Sequence, residues 1–253
     1  MHSKVKGLIW LIAIIVFSAS FALAIPLLAR MLPWSVEERL AKHLGGVSSL
    51  SCLSKDSSAQ KILQKTLKRI YPLDSDEKNL PPITVDIIDD PNVNAVAMLG
   101  RRIYVFRGLL EKAESPDELA GVLAHEIEHI RHRHVIEAVM DRIVIHGSIF
   151  VLLGGHQGAD TLSWFMDLKF SREMESEADR DGLKRLRAAK VSSQGILDFF
   201  NRLQKESDVP AIISDHPSSA DRATWIKQMG TYPSEPVLTS SEWRILKTSC
   251  HAR

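Results

Sequence analysis

The stretch SPDELAGVLAHEIEHIRHRH, residues 115–134, opens with helix-start signals and continues as a mostly apolar helix. Ser115 is a favourable N-cap, and Pro116 suits the first helical position, where its missing N–H is not needed. Glu118 follows Ser115 by three residues, which is the spacing of a capping box. The five residues HEIEH at 125–129 are therefore predicted to lie inside a long helix, which fixes how their side chains are arranged.

HEIEH places His125 and His129 four residues apart, about 40° around a helix, so the two imidazoles share a face. Two such histidines can bind one zinc ion as two of three protein ligands and leave the fourth position to water. The flanking residues are apolar, and unpaired ionisable groups would be costly there. A metal site is therefore favoured over a solvated histidine-rich surface, the alternative that His132 and His134 suggest.

Two zinc-protease motifs overlap in HEIEH, and each assigns the catalytic base to a different glutamate. Read as H-E-x-x-H, the base is Glu126, and read as H-x-x-E-H, it is Glu128. On a helix each glutamate is offset by about 100° from its neighbouring histidine, in opposite senses. Helix geometry alone leaves both alternatives open.

A third metal ligand is expected from another element. The metzincin extension of the motif is absent, because it requires glycine at the position of His132. The segment SREMESEADRDG, residues 171–182, predicts a charged helix on which Glu175 and Asp179 share a face. Glu175 is then a candidate ligand, and Asp179 can accept a hydrogen bond from the non-metal nitrogen of a ligating histidine. The same helix offers two alternative ligands, Glu173 and Glu177.

The rest of the chain predicts mainly helices and one small sheet. Residues 83–88, ITVDII, and 101–106, RRIYVF, have the β-branched and aromatic content of strands, and the segment 94–100 between them is a candidate for further extended structure. Apolar residues recur at helical spacing over 57–70, and further helical segments follow the HEIEH helix. The expected fold class is α+β, mainly α with a small β-sheet.

The N-terminal residues are apolar enough to cross a membrane. No charged residue occurs from 7 to 29, a length close to the roughly 20 residues that span a bilayer. Lys4 and Lys6 precede this run, as expected for a cytoplasmic tail. A cleaved signal peptide is the alternative, because residues 22–24, Ala-Leu-Ala, resemble a cleavage site. Both alternatives predict an exported chain.

We predict a membrane anchor at residues 1–32 and one folded domain at residues 33–253. The chain has two cysteines, Cys52 and Cys250, near the two ends of that domain. An oxidising compartment would allow them to form a disulfide. The chain-entropy model gives a closed loop of this length roughly 4–5 kcal/mol of stabilisation.

Four segments, in order along the chain, resemble the M48 metallopeptidases. NAVAMLGRRIYVFRGLL at 94–110 is similar to the family's NAFALPGGxIYVTxGLL, and DELAGVLAHEIEHIRHRH at 117–134 is similar to its ELAaVLAHEIgHvxxRH. SREMESEADRDGL at 171–183 is similar to SRxxExEADxxGL, and DHPSSADR at 215–222 is similar to THPsxxxR. The resemblance covers roughly residues 83–229. It implies a gluzincin-like zinc metalloprotease domain, of the exported type with a single anchor.

The resemblance implies a role for each residue that matches a family motif. His125, His129 and Glu175 are the expected ligands of one zinc ion per chain. Glu126 is the expected base, and Asp179 matches the family's supporting aspartate.

Three further assignments rest on the same resemblance. His216 matches a histidine that approaches the metal, where it either stabilises the oxyanion or caps the site in a latent state. Arg222 matches a position near the site, where it steadies the loop that carries His216. The edge strand along which family members are expected to dock a peptide backbone corresponds to Asn94, Ala95, Val96 and Ala97.

The chain departs from the family pattern at three positions. Leu99 replaces a proline and Arg101 replaces a glycine in the turn after the expected substrate strand. Glu128 stands where relatives commonly have glycine, and this substitution creates the overlap of the two zinc motifs.

The sequence thus predicts a zinc endopeptidase anchored in a bacterial inner membrane, with its catalytic domain in the periplasm. If the N-terminal segment is cleaved, the domain is periplasmic or secreted. Protein or peptide substrates are expected, and membrane-associated or misfolded envelope proteins are the hypothesis. The formal net charge of +1 argues against nucleic acid as a partner. The alternative function is a zinc-containing chaperone or binding module in which His216 closes the metal site.

Overall fold

The computed structural model describes residues 10, 24–25, 27–44, 50–54, 56–71, 80–146, 159–206, 210–216 and 222–250. Most of the predicted anchor at residues 1–32 lies outside these ranges. Within the part of the chain that is described, no helix combines the length and the apolar character that crossing a bilayer requires.

Helices dominate the described residues, in agreement with the predicted α+β class. In chain order the helices are α1 (Trp34–Leu44), α2 (Ser58–Ile70), α3 (Arg107–Lys112), α4 (Pro116–Arg131), α5 (His134–His146), α6 (Ala159–Met166), α7 (Arg172–Ala188), α8 (Gln194–Leu203), α9 (Ala211–Asp215), α10 (Arg222–Met229) and α11 (Ser240–Lys247). The strands are β1 (Thr84–Ile88), β2 (Ala95–Met98) and β3 (Arg102–Phe106).

The described strands form one sheet in the order β1–β3–β2. β1 runs parallel to β3, with Thr84 opposite Arg102, and β2 runs antiparallel to β3, with Val96 opposite Tyr104. The apolar run of β3 suits a central strand that is buried on both faces. The two predicted strands are present, and the segment 94–100 supplies the third.

The start of α4 agrees with its sequence signals in part. The Ser115 side chain accepts a hydrogen bond from the Glu118 amide at 3.3 Å, and Pro116 occupies the first turn. The predicted return bond of the capping box is replaced. Glu118 accepts from the Glu114 amide at 2.9 Å and pairs with Arg202 at 2.6 Å. Because Glu118 is buried, its charge is better compensated by a guanidinium than by one amide.

α4 lies at the centre of the fold and packs against α7, α8 and β2. Gly182 allows α7 to approach the backbone of α4. A Cβ at this position would lie 3.3 Å from the Ala124 carbonyl oxygen and the His125 amide nitrogen. The approach places the acidic residues of α7 directly beside HEIEH.

The turn between β2 and β3 has a left-handed backbone, with φ of 78° at Gly100 and 59° at Arg101. A residue with a side chain costs roughly 1–2 kcal/mol in this conformation, whereas glycine does not. The Arg101 side chain is buried, and its Nη2 donates to the Tyr71 hydroxyl at 2.7 Å. Its guanidinium also lies 4.8 Å from the centre of the Trp34 ring. These contacts offset the backbone cost of a left-handed residue that is not glycine.

α1 is hydrogen-bonded to the same turn. Glu37 accepts a hydrogen bond from the Gly100 amide at 3.1 Å and pairs with Arg133 at 2.6 Å. The Arg133 guanidinium lies 3.8 Å from the centre of the Trp34 ring. A Cβ at Gly100 would lie only 2.7 Å from the Ala41 Cβ. The helix that follows the predicted anchor therefore connects the β2–β3 turn to the end of α4.

Cys52 and Cys250 form the predicted disulfide, with Cα atoms 5.5 Å apart. The Cys52 amide donates to the Ile87 carbonyl of β1 at 2.9 Å, and Cys250 follows α11. The bond therefore joins the C-terminal helix to the β1 edge of the sheet.

Replacing Arg101 separates the backbone cost from the side-chain contacts. Arg101→Ala loses the Tyr71 and Trp34 contacts and keeps a Cβ in a left-handed turn, so we expect it to lower the free energy of unfolding by about 2–3 kcal/mol. Arg101→Gly loses the same contacts but relaxes the backbone, so it should be about 1 kcal/mol more stable than the alanine variant. Urea unfolding followed by circular dichroism measures both. Equal stability of the two variants would contradict the offset described for this turn.

Candidate metal centre

His125 and His129 project from one face of α4 toward Glu175 of α7. The two Nε2 atoms lie 2.9 Å apart, and carboxylate oxygens of Glu175 lie 3.3 Å from His129 Nε2 and 3.5 Å from His125 Nε2. His216, the residue after α9, places Nδ1 at 3.2 Å from both His125 Nε2 and Glu175 Oε1. All four side chains are buried, and their candidate ligand atoms lie within 4.8 Å of one another.

The spacing and chemistry of these atoms suit one metal ion. Ligands bound at about 2.0–2.2 Å to a tetrahedral zinc ion lie roughly 3.3–3.6 Å from each other. The two distances from Glu175 to the histidines of α4 lie in this range, and the two Nε2 atoms are closer, at 2.9 Å. Glu175 Oε2 is buried and forms no hydrogen bond with the described residues. Imidazole nitrogens with a carboxylate oxygen form a donor set that zinc prefers. The residues therefore fit a zinc-type ion.

The charge around the histidines also favours a divalent cation. Glu126, Glu175 and Asp179 are buried, and Arg222 is the buried guanidinium beside them. With the histidines neutral, as metal ligands are, the ionised forms of these four groups leave an excess of two negative charges. Burying an uncompensated charge is costly. One divalent ion would balance the excess.

The carboxylates act differently on the two histidines of α4. Burial lowers the pKa of His125, but the hydrogen bond with Asp179 and the nearby Glu175 carboxylate outweigh burial and raise the pKa to about 10. At His129 burial dominates and lowers the pKa to about 3. Burial raises the pKa of Glu175, but its hydrogen bonds with the surrounding histidines hold that pKa well below its usual range. The field that favours a proton on His125 equally favours a metal cation.

Glu126 lies beside the candidate ligands and faces β2. Its Oε2 accepts a hydrogen bond from the Ala97 amide at 2.8 Å, and its Oε1 lies 3.5 Å from His216 Nε2. Oε1 is buried and forms no hydrogen bond with the described residues. Burial raises the pKa of Glu126, and the charges of His216 and His125 oppose that rise. A carboxylate with one anchored and one unbonded oxygen can exchange a proton at the unbonded oxygen.

Glu128 points away from the candidate ligands, toward two arginines. Arg185 of α7 donates to Glu128 Oε1 at 2.6 Å, and Arg131 donates to Oε2 at 2.9 Å. Because Glu128 is 1% exposed, it is a buried ion-paired residue between α4 and α7. Of the two glutamates in the overlapping motifs, Glu126 is therefore the one whose carboxylate lies beside the candidate ligands.

Asp179 and Arg222 meet behind His125. Asp179 Oδ1 lies 3.0 Å from His125 Nδ1 and accepts from Arg222 Nε at 2.8 Å and from a second nitrogen of that guanidinium. Burial raises the pKa of Asp179, but the bond with His125 and the charge of Arg222 outweigh burial and lower the pKa to about 2. Arg222 was expected to steady the loop of His216. Residues 217–221 of that loop lie outside the described residues; the described hydrogen bonds of Arg222 are with Asp179, whose Oδ1 faces His125 Nδ1.

The alternative ligands Glu173 and Glu177 lie outside this centre. Glu173 is exposed, and the Glu177 side chain is 35% exposed with Oε2 at 3.3 Å from His134 Nε2. No zinc motif singled out His134, which is fully buried and lies with Nδ1 at 3.2 Å from His129 Nδ1. α4 ends at Arg131, and the left-handed backbone of Arg133, with φ of 66°, precedes His134 at the start of α5. Spacing along a single helix therefore gave no signal for this contact.

The predicted substrate strand, residues 94–97, lies at one edge of the described sheet. The Phe106 amide donates to the Asn94 carbonyl at 3.0 Å, so Ala95 and Ala97 direct their amides away from β3. The Ala95 amide donates to Asn94 Oδ1 at 2.9 Å, and the Ala97 amide donates to Glu126. All four residues are buried. The outward amides of this strand are thus bonded within the chain.

The amino-acid sequence of this chain is similar to those of known proteases. The model of peptidase family M48 matches residues 57–229, more than half of the chain. A putative beta-barrel assembly-enhancing protease of Vibrio cholerae is 30% identical over 162 residues, which cover 56% of this chain and 34% of that protein. The metalloprotease YcaL of Escherichia coli is 28% identical over 185 residues, which cover 69% of this chain and 71% of YcaL. The mitochondrial metalloendopeptidase OMA1 of Schizosaccharomyces pombe is 31% identical over 151 residues, which cover 56% of this chain and 45% of OMA1.

A helix with H-E-x-x-H whose histidines meet a glutamate of a second helix is an arrangement known from metalloproteases. The chain belongs to peptidase family M48. The metal dependence of this family agrees with the buried histidine-rich centre. The chain spans about a third of the Vibrio protein and less than half of the fission-yeast protein.

Removing the Arg222 guanidinium leaves Asp179 buried without its cation. Breaking a buried pair in this way costs about 3–5 kcal/mol, so we expect Arg222→Met to lower the free energy of unfolding by about 3 kcal/mol. A double variant with Asp179→Asn removes both charges and should recover at least about 1 kcal/mol relative to the sum of the single changes. Urea unfolding of the four proteins gives this double-mutant cycle. Strictly additive effects would show that the two side chains do not stabilise one another.

Proposed function

We propose that the chain is a zinc-dependent endopeptidase. The observation that carries the proposal is the convergence of His125, His129 and Glu175 in a buried centre, with Glu126 beside them. The two Nε2 atoms and the Glu175 carboxylate would hold the ion. Bound zinc would polarise the scissile carbonyl and lower the pKa of its water to about 7.

Glu126 is proposed to take the proton of the attacking water and to pass it to the leaving amine. Burial raises the pKa of Glu126, which brings this carboxyl closer to the range in which it can both accept and release a proton near neutral pH. The Ala97 amide holds Oε2 and leaves Oε1 toward the centre. Asp179, fixed by Arg222, holds the His125 ring through Nδ1, so that Nε2 faces Glu175 and would be available to a metal ion.

The substrate is proposed to bind as a strand added to the outer edge of β2, along Asn94–Ala97. The Ala95 and Ala97 amides would then exchange their internal acceptors, Asn94 Oδ1 and Glu126 Oε2, for carbonyls of the substrate. The exchange at Ala97 would free the second oxygen of Glu126. Docking of the peptide and release of the base are therefore coupled in this proposal.

Membrane-associated or misfolded envelope proteins are the proposed substrates, and the bacterial inner membrane with a periplasmic domain is the proposed location. Support comes from the apolar N-terminal run, the Cys52–Cys250 disulfide and a Vibrio relative named for beta-barrel assembly. We propose residues 1–32 as the anchor and residues 33–253 as the protease domain. If the anchor is cleaved, the domain would be periplasmic or secreted.

The second candidate is a binding or chaperone module with a closed metal site. The position of His216 favours it, because Nδ1 lies 3.2 Å from both His125 Nε2 and Glu175 Oε1. In this alternative His216 is a fourth permanent ligand. In the protease, His216 would instead leave the fourth position to water and would stabilise the oxyanion.

Glu126→Gln distinguishes the two functions, and Glu128→Gln is its matched control on the same helix. Casein cleavage by the purified chain is measured together with bound metal for each protein. We expect Glu126→Gln to retain the metal and to lower kcat by roughly 10²–10⁴-fold, the usual contribution of a general base. Glu128→Gln should retain activity, since Glu128 contacts arginines and not the candidate centre.

Two results would overturn these assignments. If neither the wild type nor Glu126→Gln cleaves casein while metal is bound to both, the closed binding module would be favoured. Loss of activity only in Glu128→Gln, with the protein folded, would transfer the base to Glu128.

A further inference from the structure

We infer that His134 and Glu177 form a hydrogen-bonded relay that orients the proposed metal ligand His129. The inference rests on the proposed metal function and assigns His134 as a positioning residue. Asp179 fixes His125 directly, whereas the relay would fix His129 through one intervening imidazole.

The atoms that face each other determine the direction of the relay. His129 Nε2 points to the centre, and its Nδ1 lies 3.2 Å from His134 Nδ1. A histidine nitrogen that binds a metal carries no proton, so the proton of the neutral His129 ring must be on Nδ1. His129 therefore donates, and His134 Nδ1 accepts.

The second hydrogen bond follows from the first. When Nδ1 of a neutral imidazole accepts, its proton is on Nε2. His134 Nε2 faces Glu177 Oε2 at 3.3 Å and can donate to this carboxylate. Each donor thus meets an acceptor from His129 through His134 to Glu177.

Burial makes the His134 contact hard to replace. His129 and His134 are both 0% exposed, so bulk water does not reach Nδ1 of either ring. The Phe170 ring covers His129 with ring centres 4.1 Å apart and gives it no polar partner. The His134 contact is therefore the described polar interaction that sets the rotation of the His129 ring at its Nδ1 edge.

The relay also explains why a carboxylate does not contact His129 Nδ1 directly. Glu126, Glu175 and Asp179 already bring three buried carboxyl groups to the centre. A fourth buried carboxylate would add an unbalanced charge at high cost. A neutral imidazole carries the hydrogen bond outward to Glu177, whose side chain is 35% exposed and lies 4.0 Å from Arg30.

Zinc affinity of the full chain, measured by competition with a chromophoric chelator, tests the relay without relying on catalysis. We expect His134→Ala to weaken zinc binding by roughly 10–100-fold, as is typical when a hydrogen-bond partner of a metal ligand is removed. His134→Gln should recover most of this loss, because its amide can accept from His129 and donate to Glu177. His132→Ala, a neighbouring histidine change, should stay within about 2-fold of the wild type.

Glu177→Ala tests the far end of the relay and covers the case in which His134→Ala does not fold. Glu177 is partly exposed, and Glu173→Ala is a control of equal charge on the same helix. We expect Glu177→Ala to weaken zinc binding by roughly 10-fold, the low end of such effects, and Glu173→Ala to leave it unchanged.

Wild-type zinc affinity in folded His134→Ala, or equal affinity of Glu177→Ala and Glu173→Ala, would overturn the relay. So would the loss of a second zinc equivalent in both His132→Ala and His134→Ala, because His132, His134 and Glu177 would then hold a separate ion. A wild-type chain that binds no zinc would overturn the proposed function itself.

Discussion

The close contact between α4 and α7 is the constraint on which the candidate centre depends. Gly182 removes the side chain that would hold these helices apart, and Glu175 and Asp179 consequently reach His125. The same contact removes water from carboxylates and imidazoles, so the centre is stable only if its charges are balanced. Arg222 balances one carboxylate, and a divalent cation is the natural balance for the remainder.

Local sequence signals predicted the parts of the site that one helix determines. The start at Ser115 and the spacing of His125 and His129 depend on residues close together in the chain. Which of the two glutamates lies beside the metal ligands does not depend on nearby residues alone, because Glu128 is held by Arg185, a residue of another helix. The relay through His134 could not be predicted either, because the sequence does not distinguish a buried neutral histidine from a solvated one.

The turn at Arg101 shows how a departure from a family pattern can be read only in three dimensions. In the sequence, Arg101 stands where the family pattern has glycine, and the conformation of the turn could not be predicted from this. In the structure the left-handed backbone is kept, and the side chain is buried against Tyr71 and Trp34. α1 thereby contacts the turn that ends β2, and β2 in turn contacts Glu126 through the Ala97 amide. A continuous set of contacts links the helix after the predicted anchor to the proposed base.

The most direct test of the central claim is anomalous diffraction at the zinc edge from crystals of the zinc-loaded chain. The account predicts one strong peak, with His125 Nε2, His129 Nε2 and a Glu175 oxygen at about 2.0–2.2 Å from it. A strong peak between His132, His134 and Glu177, with none between His125 and Glu175, would contradict it.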